Sequence, residues 1–184
     1  DFYSAKEILR DLVEQSVRYR LKSDVPYGTF LSGGIDSSLV TAVEQKNLSS
    51  RLNTFTIAFA ENKYDESQYA RQVAEYLGTN HTEMTVTQKD ALNLIPSILD
   101  TFDEPFADSS AIPTMLVSKL AKTQATMILS GDGGDELFMG YGAYRWAERL
   151  QKQSIKLLHK PLSFFLRQGN SWSKRGGKVL NYPN

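Results

Sequence analysis

Apolar residues recur along this chain at two periods, helical and strand-like. Ile8, Leu9, Leu12, Val13 and Val17 follow helical spacing behind the capping-box pair Ser4 and Glu7, which predicts an opening amphipathic helix. A short apolar run at 27–31 reads as a strand, and 39–45 has a helical pattern. Residues 52–59 are rich in β-formers and read as a second strand. Asp65 starts a helix through Tyr69, Val73, Ala74 and Leu77, stopped by Gly78. A weaker strand is expected at 81–86. Thr87 and Asp90 then begin a helix through Leu92, Leu94, Ile95 and Leu99, with Pro96 threatening its middle. Residues 112–122 are helical in pattern and tolerate Pro113 in the first turn. Residues 125–130 form a strand, and the chain beyond Tyr141 is mostly helical to about Leu158.

Strands that alternate with helices predict an α/β fold, a parallel doubly wound sheet flanked by helices. Two strands run into glycine-rich loops, one before Ser32 and one before Gly131. Ligands in such folds bind at the carboxyl ends of strands where the strand order reverses. The two strands are therefore expected to be neighbours, with both loops facing one site.

Bulk properties narrow the classes. The chain has 184 residues, 41% of them hydrophobic, the size and composition of one globular domain. No apolar run reaches the length of a membrane span, and the first residues lack signal-peptide character, so a cytoplasmic protein is expected. Cysteine is absent, which excludes a disulfide framework or a Cys nucleophile in this stretch. His81 and His159 are not at ligand spacing and read as structural. Net charge is zero, yet no acidic residue follows Glu148, while Arg149, Lys152, Lys156, Lys160, Arg167, Lys174, Arg175 and Lys178 are basic. That segment lacks a recognisable RNA-binding motif and reads as a cationic surface, so nucleic acid is not an expected partner. The chain has no initiator Met and reads as a piece of a longer protein. Residues 1–150 are expected to form the core, with 151–184 a truncated helical or irregular continuation.

The first loop, Ser32-Gly33-Gly34-Ile35-Asp36-Ser37-Ser38, carries the chemistry. A strand–glycine–helix order lets backbone N–H groups and the positive end of a helix meet an anion. A P-loop would end in Lys-Ser/Thr, and here an Asp sits in that region instead. A carboxylate beside phosphates calls for a divalent cation between them, so Asp36 predicts Mg2+, with Ser32, Ser37 and Ser38 supplying hydroxyls. This heptapeptide resembles the pyrophosphate-binding PP-loop of the ATP pyrophosphatases, enzymes with an adenine-nucleotide α-hydrolase-like fold. The resemblance implies cleavage of ATP between its α and β phosphates.

The second loop runs Ser130-Gly131-Asp132-Gly133-Gly134-Asp135-Glu136 and on to Tyr141. Its interleaved acids repel one another, which a metal or cationic partner would offset. With residues 24–38, 64–66 and 103–110, it resembles the synthetase domain of glutamine-hydrolysing asparagine synthetases, in that family's order, from about Tyr3 to Tyr144. The resemblance implies that aspartate attacks the α-phosphate of ATP to give β-aspartyl-AMP and pyrophosphate. Ammonia then displaces AMP and leaves asparagine.

On that resemblance, Ser32, Gly33, Gly34, Ser37 and Ser38 hold the β and γ phosphates, and Asp36 and Asp135 hold Mg2+. Leu31 and Ile57 contact adenosine, and Ser130 and Gly131 touch the nucleotide from the second loop. Asp36 and Asp132 are the expected catalytic residues. Asp132 stands where the family's best-studied members carry Glu and is one methylene shorter. Asp108, Ser109, Ser110 and Tyr141 are candidates for the acceptor pocket, although Asp108 to Ser110 read equally well as a helix N-cap cluster. The family's ammonia comes from a glutaminase domain that precedes this one on the same chain, and a homodimer is compatible with the resemblance. The family's downstream Lys has no match here and is expected beyond Asn184, so the isolated piece is expected to be inactive. The same scaffold serves β-lactam synthetases, lasso-peptide cyclases and surface-polysaccharide amidotransferases, which adenylate other carboxylates. A tRNA-modifying PP-loop enzyme is the more distant alternative.

Overall fold

The computed structural model describes residues 1–60, 65–104, 108–142 and 144. Contacts divide the chain into two units, Asp1–Asp132 and Gly133–Asn184. The expected helices beyond Tyr144, the expected continuation at 151–184 and His159 lie outside the described residues.

The first unit is built on a four-stranded parallel sheet in the order β3-β2-β1-β4. Its strands are β1 (Tyr27–Phe30), β2 (Asn53–Phe59), β3 (Asn80–Val86) and β4 (Met127–Leu129). Helix α2 (Ile35–Lys46) links β1 to β2, and α3 (Ser67–Leu77) links β2 to β3. From β3, helices α4 (Gln88–Thr101) and α5 (Ala111–Ala121) return the chain past β1 to β4. Right-handed crossovers in opposite directions place their helices on opposite faces of the sheet. The packing agrees. Leu31 meets Ala70 and Ala74 of α3 on one face, while Phe55 meets Ala121 and Ala125 on the other, with Phe30, Val117, Leu120 and Ile128. Alternation along a strand accounts for the division: Thr29 and Leu31 face α2 and α3, and Phe30 faces α5. Ala70 and Ala74 are small, which lets α3 lie close to the sheet.

Helix α1 (Phe2–Arg20) opens the chain, but its cap differs from the Ser4–Glu7 box. Asp1 takes the N-cap, accepting from Ser4 N at 2.8 Å, and Glu7 pairs with Arg10 at 2.9 Å. The N-cap lies three residues ahead of Ser4, because a carboxylate at position 1 satisfies the Ser4 amide. The Thr87–Asp90 capping box forms as expected, and α4 continues through Pro96. Gly78 ends α3 in the left-handed region, φ 69°.

Helix α2 buries a polar stripe. Its buried residues are Ser37, Thr41 and Glu44, spaced four and three apart. Thr41 Oγ1 donates to Ser37 O at 2.7 Å, and Glu44 Oε1 accepts from Thr29 Oγ1 at 2.6 Å. The stripe carries the hydrogen-bonding interior of the first loop down into the core.

Candidate functional site

The strands β1 and β4 are parallel neighbours, paired Tyr27 with Met127 through Thr29 with Leu129. Strand order reverses at this pair, and the two glycine loops leave its carboxyl ends together, as expected. Their closeness is measurable at Gly131. A Cβ there would lie 2.6 Å from Ser37 N and 2.9 Å from Asp36 C, so only glycine lets the second loop rest on the first turn of α2.

The first loop is tied to itself. Ser32 N donates to Ser37 Oγ at 3.2 Å, and the two hydroxyls lie 2.9 Å apart. Gly34 N donates to Ser32 Oγ at 3.2 Å, and Ser37 Oγ also reaches Gly34 O at 3.3 Å. Ser37 is 7% exposed, so its hydroxyl braces the loop from within. Ser38 Oγ is buried without a partner among the described residues, an orphan donor in the loop itself. Helix α2 begins at Gly34 with no side-chain cap, which leaves its first-turn amides to an external acceptor. Free first-turn amides, a positive helix end and an orphan hydroxyl around glycines are the chemistry that can receive an anion.

Leu31 is 1% exposed. Its amide donates to Phe55 O at 3.0 Å, and its carbonyl accepts from the Thr56 hydroxyl. Its side chain packs on Ala70 and Ala74 of α3 and presents no surface to a ligand, while Ile57, half-buried on β2, retains apolar surface. Ser130 Oγ donates to Asp132 Oδ2 at 2.9 Å and holds an otherwise exposed carboxylate at the carboxyl end of β4.

Asp108 to Ser110 stand at the start of α5. That helix ends near the amino ends of β1 and β4, where Thr126 N donates to Pro26 O at 2.8 Å, so its start points toward the carboxyl end of the sheet. Their visible work is a turn ahead of the helix: Ser110 N donates to Asp108 Oδ1 at 2.7 Å, while Ser110 at the N-cap makes no side-chain capping bond. Bonds from the Ser110 amide and hydroxyl hold the Asp108 carboxyl below its ordinary range.

The second unit begins with the short helix α6 (Gly134–Phe138), entered at Gly133 with φ 90°. Asp135 sits in its first turn. Tyr141 Oη donates to Glu136 Oε1 at 2.7 Å; this bond, then burial and the nearby carboxylates, push the Tyr141 hydroxyl up to about 12. The same bond holds Glu136 below the usual carboxylate range.

The described residues contain no cluster of three or more metal-ligating side chains. Magnesium in phosphate-transfer sites needs fewer, because one or two carboxylates act together with substrate phosphates and water. Asp36 fits that demand. It lies in the first turn of α2, and its carboxylate makes no hydrogen bond or ion pair among the described residues. His81 takes no part: Thr54 Oγ1 lies 2.9 Å from its Nδ1, and burial lowers its pKa. A cleft of about 590 Å³ lies at the far edge, between α3 and β3, crossed by the Arg71–Glu83 pair.

Two things escaped the sequence pattern. Glu44 is fully buried, and burial raises its pKa to about 7 against the opposing bond from Thr29. The N-terminal turn of α3 also walls the loop at Gly33. A hydrophobic-periodicity scan has no signal for a buried carboxyl on a weakly amphipathic helix, and contact at Gly33 is tertiary.

Fold and site together define an α/β domain whose two glycine loops meet at the switch point of a parallel sheet. The chain belongs to the asparagine synthase family, whose model matches residues 8–182. It is 43% identical over 143 residues to a putative glutamine-hydrolysing asparagine synthetase 2 of Methanocaldococcus jannaschii, covering 76% of this chain and 28% of that protein. It is 42% identical over 140 residues to asparagine synthetase 1 of Bacillus subtilis, covering 76% and 22%. Asparagine synthetase 3 of Arabidopsis thaliana is 33% identical over 171 residues, covering 83% and 29%. The chain thus spans about a quarter of the length of these relatives. Among solved structures, an NMN synthetase of Francisella tularensis overlays with a TM-score of 0.48 at 16% identity, covering 72% of this chain and 58% of that one. The fold assignment rests on the sheet itself.

Proposed function

We propose that this chain is the synthetase domain of an enzyme that makes asparagine from aspartate, using ATP. A side-chain carboxylate oxygen of aspartate attacks the α-phosphorus, and the bond from that phosphorus to the bridging oxygen breaks. Pyrophosphate leaves, and β-aspartyl-AMP remains. Ammonia nitrogen then attacks the acyl carbon, AMP departs with the electron pair of the acyl–oxygen bond, and a proton is lost from nitrogen. Ammonia would come from a glutaminase domain elsewhere on the full-length protein, in line with the glutamine-hydrolysing relatives.

One observation carries the reading: two glycine loops leave adjacent parallel strands at the switch point, and Gly131 packs on the first turn of α2. The residues divide the labour on that basis. The first-turn amides of 35–37 and the Ser38 hydroxyl take the β and γ phosphates, with Ser32, Gly34 and Ser37 keeping the loop in shape. Asp36 would hold Mg2+, which supplies positive charge against the departing pyrophosphate, and Asp135 of the second unit is its expected partner ligand on the family resemblance alone. Ile57 offers apolar surface to the nucleoside, and Ser130 holds Asp132 toward the acyl phosphate. Asp108 to Ser110 would contact the aspartate, a role that their turn leaves open to them, and Tyr141 is a candidate for the same role on the family resemblance alone. Catalysis is then mainly positioning and electrostatic stabilisation.

The test is carboxylate-dependent ATP–pyrophosphate exchange by the full-length protein, with aspartate, glutamate and larger acids. Exchange driven by another acid would assign the altered-acceptor chemistry of the β-lactam synthetase type, and exchange driven by none would favour a different PP-loop enzyme.

A further inference from the structure

The wall behind the first loop is the N-terminal turn of α3. Gly33 has φ 81°, and a Cβ on it would stand 2.6 Å from Ala70 N and from Tyr69 Cβ. With nothing between the two backbones, a shift in that turn passes directly to Gly33. Ala70 is fully buried and packs with Leu31, so the end of β1 rests on the same turn.

The turn is anchored from one residue outside its cap. Glu66, at the N-cap, makes no side-chain capping bond. Asp65 does the capping instead. Its Oδ1 accepts from Ser67 N at 3.1 Å and from Phe59 N at 3.3 Å, and its Oδ2 accepts from Ser67 Oγ at 3.1 Å. One carboxylate therefore joins the last residue of β2 to the first residue of α3. Burial pushes its pKa up, but the Ser67 and Phe59 bonds and the charge of Arg71 hold it below the ordinary range. It is an acceptor-only group throughout the neutral range, which suits three donors.

We propose that Asp65 is a positioning residue for the phosphate-binding loop, acting through the Ser67 to Ala70 turn on Gly33. It does not touch the loop. Without its bonds the turn of α3 loses its tie to β2, Gly33 loses its wall, and the first loop loses its set geometry. The inference rests on the reading of that loop as a phosphate cradle.

The test uses the full-length protein with Asp65→Ala, Asp65→Asn and Ser67→Ala, and two readouts. Amide hydrogen exchange of residues 33–38 without nucleotide reports loop order, and titration with Mg-ATP reports the cradle. Asp65→Ala is expected to speed loop exchange roughly tenfold and weaken Mg-ATP roughly tenfold, with the KM for aspartate nearly unchanged. Asp65→Asn is expected to return both within about threefold, because Oδ1 still accepts both amides and Nδ2 donates to Ser67 Oγ. Wild-type loop exchange and nucleotide affinity in Asp65→Ala would overturn the proposal. So would equal losses in the Asn and Ala variants, which would assign the effect to charge. If Asp65→Ala does not fold, Ser67→Ala decides: a two- to threefold change supports the role, by roughly the weight of one lost bond, and none overturns it. Faster loop exchange in Asp65→Ala, in a protein whose wild type does not bind Mg-ATP, would support the positioning role while sinking the proposed function.

Discussion

The two glycine loops share a composition and differ in how they are held. In the first, Ser32, Gly34 and Ser37 bond to one another, Ser37 is buried, and Gly33 is pressed against α3. In the second, Asp132 is exposed and held by a single Ser130 hydroxyl, and farther on the exposed Glu136 takes the Tyr141 hydroxyl. Neutral amides work on an anion only if their directions are fixed beforehand, so their loop is tied internally and anchored on the buried Ser37. The acids of the second loop, which would act through a cation or on a reacting group, would take their final geometry from the ligand, and they carry fewer internal bonds. The first loop should thus couple binding to stability, and the second should not.

The largest break in this contrast is Gly33→Ala. A positive φ and a Cβ 2.6 Å from the backbone of Ala70 leave no relaxed solution. The strain is expected to cost on the order of 1–3 kcal/mol of stability, with loss of detectable Mg-ATP binding, read by thermal unfolding and calorimetric titration. A variant that stays stable but does not bind would show that the loop is not part of the core.

Glu44 probes the core beneath the same loop. Its folded pKa of about 7 lies above the ordinary 4.5, so protonated Glu44 favours the folded state. That contribution is full below about 4.5 and is lost as pH rises through about 7. The loss is about 3 kcal/mol at 1.4 kcal/mol per unit. Glu44→Gln is expected to flatten the dependence, and to raise the unfolding temperature at pH 8 more than at pH 5. A parallel shift at both values would mean that Glu44 does not titrate in that window.

Asp132→Asn is the smallest perturbation to the fold. It keeps the acceptor for Ser130 and removes only charge, so stability should stay within about 0.5 kcal/mol. Turnover is expected to fall roughly a hundredfold, with Mg-ATP affinity nearly unchanged. A stability loss like that of Gly33→Ala would erase the contrast between the loops.

Most of the architecture was legible in the sequence because its signals are local. Glycine turns, the Thr87–Asp90 box and the β-rich run at 52–59 each act over a few residues, and the neighbouring of β1 and β4 followed from their loops. The first cap was not legible because Asp1 precedes the apolar pattern, and Ser4 and Glu7 carry the residue types of a capping box. The polar stripe of α2 was invisible for the opposite reason: Ser37, Thr41 and Glu44 resemble a solvated face until Thr29 and the loop supply their partners. Asp65 was legible as a helix cap, but its reach to Phe59 and, through Ala70, to Gly33 depends on tertiary contact. The second loop disclosed its acids and glycines and nothing of what each acid does.

The most direct measurement is pyrophosphate exchange into ATP by the full-length protein, with aspartate and Mg2+ present and ammonia and glutamine withheld. Aspartate-dependent label in ATP is the predicted result, since reversible formation of β-aspartyl-AMP needs no nitrogen donor. Aspartate-dependent formation of ADP and phosphate without exchange would place the attack on the γ-phosphorus and contradict the account.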